Sequence, residues 1–241
     1  MPGPVALVGA GEFLPVMATL DTELLAATGR SRPRVAILPT ASFPDGEPIF
    51  QRWAQMGVDH FEKLGAEVEA VLVRDRAAAD DPVSIQAVGE ADLIYLSGGK
   101  PAYLLDTLGG TGLLRAIREA HERGTVLAGC SAGAMVLVER VTDLRRGMLP
   151  WPLTWREAFR LVLGAVVFPH YDRIPEAMAA VMAMQAPRGT TVLGIDEDTA
   201  LVGRDGSWQV HGASRVTVWR GRHRERHRAG DVFRLEAVAT P

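Results

Sequence analysis

The residues best suited to chemistry lie in Gly129-Cys130-Ser131-Ala132-Gly133-Ala134. The apolar run Thr125-Val126-Leu127-Ala128 precedes them, and Met135-Val136-Leu137-Val138 follows. Strand, small-residue turn, then helix is the setting that gives G-x-S-x-G its chemical meaning. A serine at the apex of such a turn sits in strained backbone, with its hydroxyl raised above the sheet. Gly129 and Gly133 let the chain reverse without Cβ clashes. The helix that starts at Ala132 has free N–H groups in its first turn, and that of Ala132 aims where an oxyanion would form. An ordinary glycine-rich turn would read the same way, so the serine needs partners.

A serine hydroxyl needs a base, and the base needs an orienting carboxylate. His170 is the best base, because the apolar run Val166-Val167-Phe168 ends at Pro169-His170-Tyr171. His60 and His121 fall in predicted helices, His211 in a hairpin, and His223 and His227 in a basic stretch. For the carboxylate, Asp196-Glu197-Asp198 lies between two apolar runs, where at least one acid needs a specific partner, while Asp196 and Asp198 individually read as solvated turn acids. Asp143, beyond the elbow helix, competes with them and reads equally as a cap or a surface acid. Ser97-Gly98-Gly99 ends the strand before the elbow strand, and its glycine N–H groups can supply a second oxyanion donor. One such donor is worth ~3 kcal/mol in a transition state.

Other chemistries fit less well. Gly9-Ala10-Gly11-Glu12 lacks the third glycine of a dinucleotide fingerprint, and no glycine-rich loop leads into a Walker lysine. No paired His/Cys spacing suggests a metal site. We therefore expect neither metal nor cofactor. Cys130 stands one residue before the apex, so its side chain should point away from the site and pack as an apolar group.

The elements that must position these residues alternate. Apolar runs at Pro4–Val8, Arg34–Leu38 and Ala91–Leu96 end in Gly9-Ala10-Gly11, Pro39-Thr40-Ala41 and Ser97-Gly98-Gly99. Helical spacing fills Phe50–Leu64, Ser84–Gly89, Tyr103–Leu108 and Gly112–Arg123, and Glu67–Val73 reads as a further strand. Continuous apolar strands between amphipathic helices predict a mostly parallel sheet with helices on both faces. Ligands bind such a sheet at the carboxyl ends of its strands. The last third predicts a helix at Pro175–Met184 and short strands at 192–195, 199–202, 208–211 and 215–219, a C-terminal β-hairpin region with a tight turn at Asp205-Gly206. Gly221–Arg228 is a basic tip and reads as a solvated hairpin loop, with no aromatic residue for a base to stack on.

At 241 residues, one α/β domain over 1–241 is expected. A net charge of −3 gives no pull toward nucleic acid or an anionic membrane. A single cysteine precludes an internal disulfide and suits a reducing compartment. The opening Met1-Pro2-Gly3-Pro4 has no basic n-region, and no apolar run is long enough to span a bilayer. A cytoplasmic location follows as an expectation.

Taken in order, Gly98-Gly99, the Gly129–Ala134 elbow, Pro169-His170 and Gly194-Ile195-Asp196-Glu197-Asp198-Thr199-Ala200 resemble the dipeptidase E and cyanophycinase family of serine peptidases. The opening Leu7-Val8-Gly9-Ala10-Gly11-Glu12 is similar to the family's start as well. The resemblance implies a class I glutamine amidotransferase-like fold with a flavodoxin-like core. It also implies Ser131 as nucleophile, His170 as base, and the Gly99 and Ala132 N–H groups as the oxyanion hole. For the acid, the cyanophycinase branch resembles this chain at Glu197. The dipeptidase E branch, with its aspartate between nucleophile and histidine, points to Asp143. Glu197 is preferred.

The chain also departs from the family. Lys100-Pro101 and Phe168-Pro169 stand where cyanophycinases carry Asp-Gln pairs, and Arg173 is the only arginine close behind His170. Gly98, Lys100 and Arg173 are the residues expected to bind substrate, with Lys100 or Arg173 meeting a carboxylate. The expected function is hydrolysis of a small peptide or related amide bond. The alternative is a non-catalytic small-molecule-binding protein on the same fold. A homodimer is compatible with either.

Overall fold

Burial on both faces decides which runs become the central strands. The structure is a computed structural model that describes residues 1–142 and 152–235. In chain order the first half gives β1 (Val5–Val8), α1 (Ala18–Ala27), β2 (Arg34–Leu38), α2 (Glu47–Lys63), β3 (Glu67–Ala70), α3 (Pro82–Gly89), β4 (Leu93–Leu96), α4 (Pro101–Leu108), α5 (Gly112–Arg123), β5 (Val126–Cys130) and α6 (Ala132–Leu137). Five of these strands pair in parallel, in the order β3-β2-β4-β5-β1. Side chains alternate across the sheet with period two. Leu7, Leu38, Leu96 and Leu127 enter one core with α3, α4, α5 and α6. Val8, Ile37, Tyr95, Ala128 and Cys130 enter the other with α1 and α2. Both faces are thus covered over β1, β2, β4 and β5, which is why those strands are almost wholly apolar, whereas β3, at the edge, reads Glu-Val-Glu-Ala.

Register brings the strand ends level. Val8 pairs with Cys130, Leu96 with Gly129, and Leu38 with Leu96. The turns after β1, β2, β4 and β5 therefore share one edge. Helix α5 shows how the local signals work: the Thr111 side chain accepts from Leu114 N–H at its start, and left-handed Gly124 closes it.

The second half adds β6 (Arg140–Thr142), β7 (Trp155–Glu157), β8 (Ala165–Phe168), α7 (Glu176–Met184), β9 (Thr191–Ile195), β10 (Thr199–Arg204), β11 (Ser207–Gly212), β12 (Arg215–Arg220), β13 (His223–Arg228) and β14 (Val232–Arg234). β10, β11 and β14 extend the main sheet antiparallel beyond β1. β8, β9, β12 and β13 form a second sheet, and β6 pairs with β7. Asp205 and Gly206 both have positive φ, as a primed two-residue turn requires. The chain passes from β9 in one sheet to β10 in the other through Asp196-Glu197-Asp198.

Three expectations need correction. The basic stretch is not a loop: His223–Arg228 is edge strand β13, and only Gly221-Arg222 turns. Two of its arginines are met by tertiary partners. Arg224 and Arg226 both reach Glu176 at the start of α7, and Arg224 also lies over the Trp219 ring. The strand read as Glu67–Val73 stops at Ala70. Asp196 is not a solvated acid. It is buried, accepts from Ser214 Oγ at 2.7 Å, and faces Arg215.

Candidate active site

Ser131 has φ 48° and ψ −106°, a conformation that costs a non-glycine residue energy. The turn is pinned on both sides. Ser131 N–H donates to Val8 O at 2.9 Å, and Met135 N–H donates to Ser131 O at 3.0 Å. The flanking glycines let α6 lie directly on the strands. A Cβ on Gly133 would come within 2.1 Å of Leu96 O, and one on Gly129 within 2.6 Å of the Gly133 backbone.

His170 follows β8 in left-handed backbone, φ 49° and ψ 39°. Its Nε2 is 3.0 Å from Ser131 Oγ, and its Nδ1 is 3.0 Å from Glu197 Oε1. The carboxylate can only accept, so Nδ1 carries the proton of the neutral ring and Nε2 accepts from the serine hydroxyl. The ring's turn is braced by the next residue. Tyr171 packs its ring where a Gly194 Cβ would stand, and its hydroxyl accepts from Trp219 Nε1 at 2.8 Å.

Glu197 is held from three directions. His170 takes Oε1, Arg173 takes Oε2, and the Glu197 N–H donates to Asp172 Oδ1 at 2.9 Å. The Arg173 guanidinium, and after it His170, hold the Glu197 carboxyl below its ordinary value. Arg173, expected to meet a substrate carboxylate, is thus turned onto Glu197 instead. Lys100 likewise has a protein partner, with its Nζ 3.3 Å from Asp45 Oδ1 in an exposed pair. Asp143 lies outside the described residues.

The turn after β4 sits beside the serine. Gly99 is exposed at φ 140°, and a Cβ there would come within 2.2 Å of Ala41 O. Among the described residues, neither the Gly99 nor the Ala132 N–H has an acceptor. Gly98 differs: it is buried, and its N–H donates to Glu12 Oε1 at 2.9 Å. The other oxygen of Glu12 accepts from the Cys130 thiol at 2.8 Å. Cys130 does point away from the site and is fully buried, but it acts as a donor rather than a plain apolar filler. Burial foremost, and then Glu12, push its thiol well above the usual range.

Sequence reasoning missed Glu12, Tyr171 and Asp172. Only Glu12 carried a signal, as an acid placed directly after the Gly9-Ala10-Gly11 strand end. Among the described residues, no group of three His, Cys, Asp or Glu side chains is arranged to hold a metal ion. No described helix is long and apolar enough to cross a membrane.

A family model described as Peptidase family S51 matches residues 5–211, a span that includes Ser131, His170 and Glu197. The chain belongs to peptidase family S51. Membership makes it an enzyme of the serine-peptidase type. It is 35% identical over 170 residues to a Bacillus subtilis (strain 168) protein named uncharacterized peptidase YgaJ, covering 70% of this chain and 68% of that one. It is 30% identical over 193 residues to a cyanophycinase from Synechococcus elongatus, covering 76% of this chain but only 58% of the cyanophycinase. The crystal structure of a peptidase from an acI-B1 Actinobacterium superposes with a TM-score of 0.88 at 35% identity, over 98% of both chains. The mixed sheet of this S51 chain, mostly parallel at its centre with antiparallel strands from the C-terminal third, is thus the fold of a solved peptidase.

Proposed function

We propose that this S51 peptidase cleaves a small peptide or related amide bond through Ser131, His170 and Glu197. One observation carries the reading: a continuous hydrogen-bonded chain runs from Ser131 Oγ through both ring nitrogens of His170 to Glu197, each step 3.0 Å long. Ser131 Oγ attacks the carbonyl carbon while its proton passes to His170 Nε2. The carbonyl oxygen becomes an oxyanion, met by the N–H groups of Gly99 and Ala132. Glu197 steadies the imidazolium. Nε2 then gives its proton to the departing amine, and the C–N bond breaks. Water, deprotonated by the same nitrogen, releases the acid and restores the serine. No cofactor, nucleic acid or membrane enters these steps, and the reading treats 1–241 as one domain working in the cytoplasm.

The strained φ of Ser131 favours hydrolysis over simple binding, because a binding turn would not need it. Intact-mass analysis after treatment with a fluorophosphonate should give one adduct, absent from Ser131→Ala. Equal labelling of that variant would remove the nucleophile from this reading.

A further inference from the structure

We infer that Glu12 is a positioning residue for the oxyanion turn, holding the Gly98 peptide so that the Gly99 N–H faces the reacting carbonyl. The inference rests on the proposed role of Ser131. Glu12 follows β1, is only 6% exposed, and reaches two other strand ends. Its Oε1 accepts from Gly98 N–H at 2.9 Å, just beyond β4. Its Oε2 accepts from the Cys130 thiol at 2.8 Å, the last residue of β5 and the neighbour of Ser131. One carboxylate thereby ties together the three strand ends around the nucleophile. A buried carboxylate is tolerated only with its oxygens satisfied. Here both donors come from the turns that must be held still.

The space is tight enough to make the tie directional. A Cβ on Gly98 would lie 2.7 Å from Glu12 Oε1 and 3.4 Å from Ser131 Cβ. Gly98 is therefore closely confined between the carboxylate and the serine. With the Gly98 N–H engaged by Glu12, the next N–H, that of Gly99, is the one left without an acceptor among the described residues. The same tie explains why a cysteine precedes the apex serine: an alanine there would leave Oε2 without its donor.

The test compares two side chains of similar length. Glu12→Gln keeps an acceptor for Gly98, whereas Glu12→Met keeps the volume without one. Both are treated with a fluorophosphonate, whose reaction also develops charge at the oxyanion position. Relative to wild type, Glu12→Met should lose about 10- to 100-fold in the limiting labelling rate, the scale expected for a misplaced reactive geometry. Its concentration at half-maximal rate should be little changed. Glu12→Gln should recover most of the rate. Equal rates for wild type and Glu12→Met, with Ser131 labelled in both, overturn this inference alone. No labelling of wild type overturns the role of Ser131 and this inference with it. Should Glu12→Met fail to fold, amide exchange of the wild-type protein decides. Gly98 should be protected and Gly99 not, and equal protection of the two overturns the inference.

Discussion

Nε and Nη2 of Arg173 both donate to a single oxygen of Glu197, Oε2, at 3.1 and 2.7 Å. Oε1 is left to His170. The guanidinium lowers the Glu197 carboxyl, so this acid stays ionised further into the acid range than a free glutamate. A carboxylate lowered by folding adds stability that is present above its unfolded value of about 4.3, and that is lost as pH falls through the folded value. Arg173→Met should therefore raise the Glu197 carboxyl toward its ordinary value. The variant's deficit in Tm should be present at pH 7 and vanish at strongly acid pH. It should be small, because Arg173 is 71% exposed and solvent screens the pair. Melting curves of wild type and variant across a pH series check this. A Tm deficit that stays the same from pH 7 to strongly acid pH would mean that Arg173 does not tune Glu197.

Ser131 and His170 are expected to act as one unit. Ser131→Ala and His170→Ala should each lower kcat/KM by at least about 10³-fold, and the double variant should be little worse than either. Losses that multiply in the double variant would show the two side chains acting independently. Peptide hydrolysis in a double-mutant cycle is the measurement.

Gly133→Ala tests the packing under the elbow. Its Cβ would meet Leu96 O at 2.1 Å, and the obstacle is backbone, which cannot swing aside. Helix α6 must lift from β4, at a cost of about 3 kcal/mol, the upper end of ordinary overpacking. Urea unfolding should give a lower midpoint with an unchanged slope, and a midpoint equal to wild type would contradict the close approach. Gly89→Ala makes a fair control, because its site is open and its φ is not positive.

The thiol should be silent in the folded protein. Cys130 is fully buried, and both burial and Glu12 disfavour the thiolate that thiol reagents need. Ellman's reagent should titrate no thiol per chain in buffer at pH 8 and one in denaturant. Rapid reaction in buffer would place Cys130 within reach of solvent and weaken the case for a serine-only site.

Much of this site was legible because its parts sit at strand ends. The elbow around Ser131 and the turn at His170 each follow a short, wholly apolar run, and such a run bounded by glycine or proline reads as a buried strand. The choice of acid was not legible from spacing. Glu197 reaches His170 because the chain crosses between sheets there, a fact of topology. Glu12 was hidden for a related reason. Its partners are a backbone N–H and a thiol, brought to it by the register of β1, β4 and β5. β13 misled because a strand of alternating arginines looks solvated until Glu176, Trp219 and β12 are set beside it. Asp205-Gly206, by contrast, was read correctly, since its turn chemistry is local.

The same geometry bears on specificity. We expect this protein to be a poor aspartyl dipeptidase and a poor cyanophycinase. Recognition of an aspartyl carboxylate usually needs an arginine fork aimed at the substrate. Arg173 forks onto Glu197, and Lys100 faces Asp45. Lys100-Pro101 and Phe168-Pro169 replace polar pairs with a point charge and with apolar or rigid groups. A pocket without hydrogen-bonding groups discriminates only weakly, about 1–3 kcal/mol per methylene-sized difference. A neutral, less polar residue should therefore be favoured on the acyl side of the cleaved bond. Asp-X dipeptides, β-Asp-Arg and a neutral dipeptide panel, assayed side by side, test this. The neutral panel should lead, and Arg173→Met should leave the ranking unchanged. A clear preference for either aspartyl substrate, at a kcat/KM of about 10⁴ M⁻¹s⁻¹ or more, would sink the idea. Arg173 or Lys100 would then have to leave its carboxylate partner when substrate arrives.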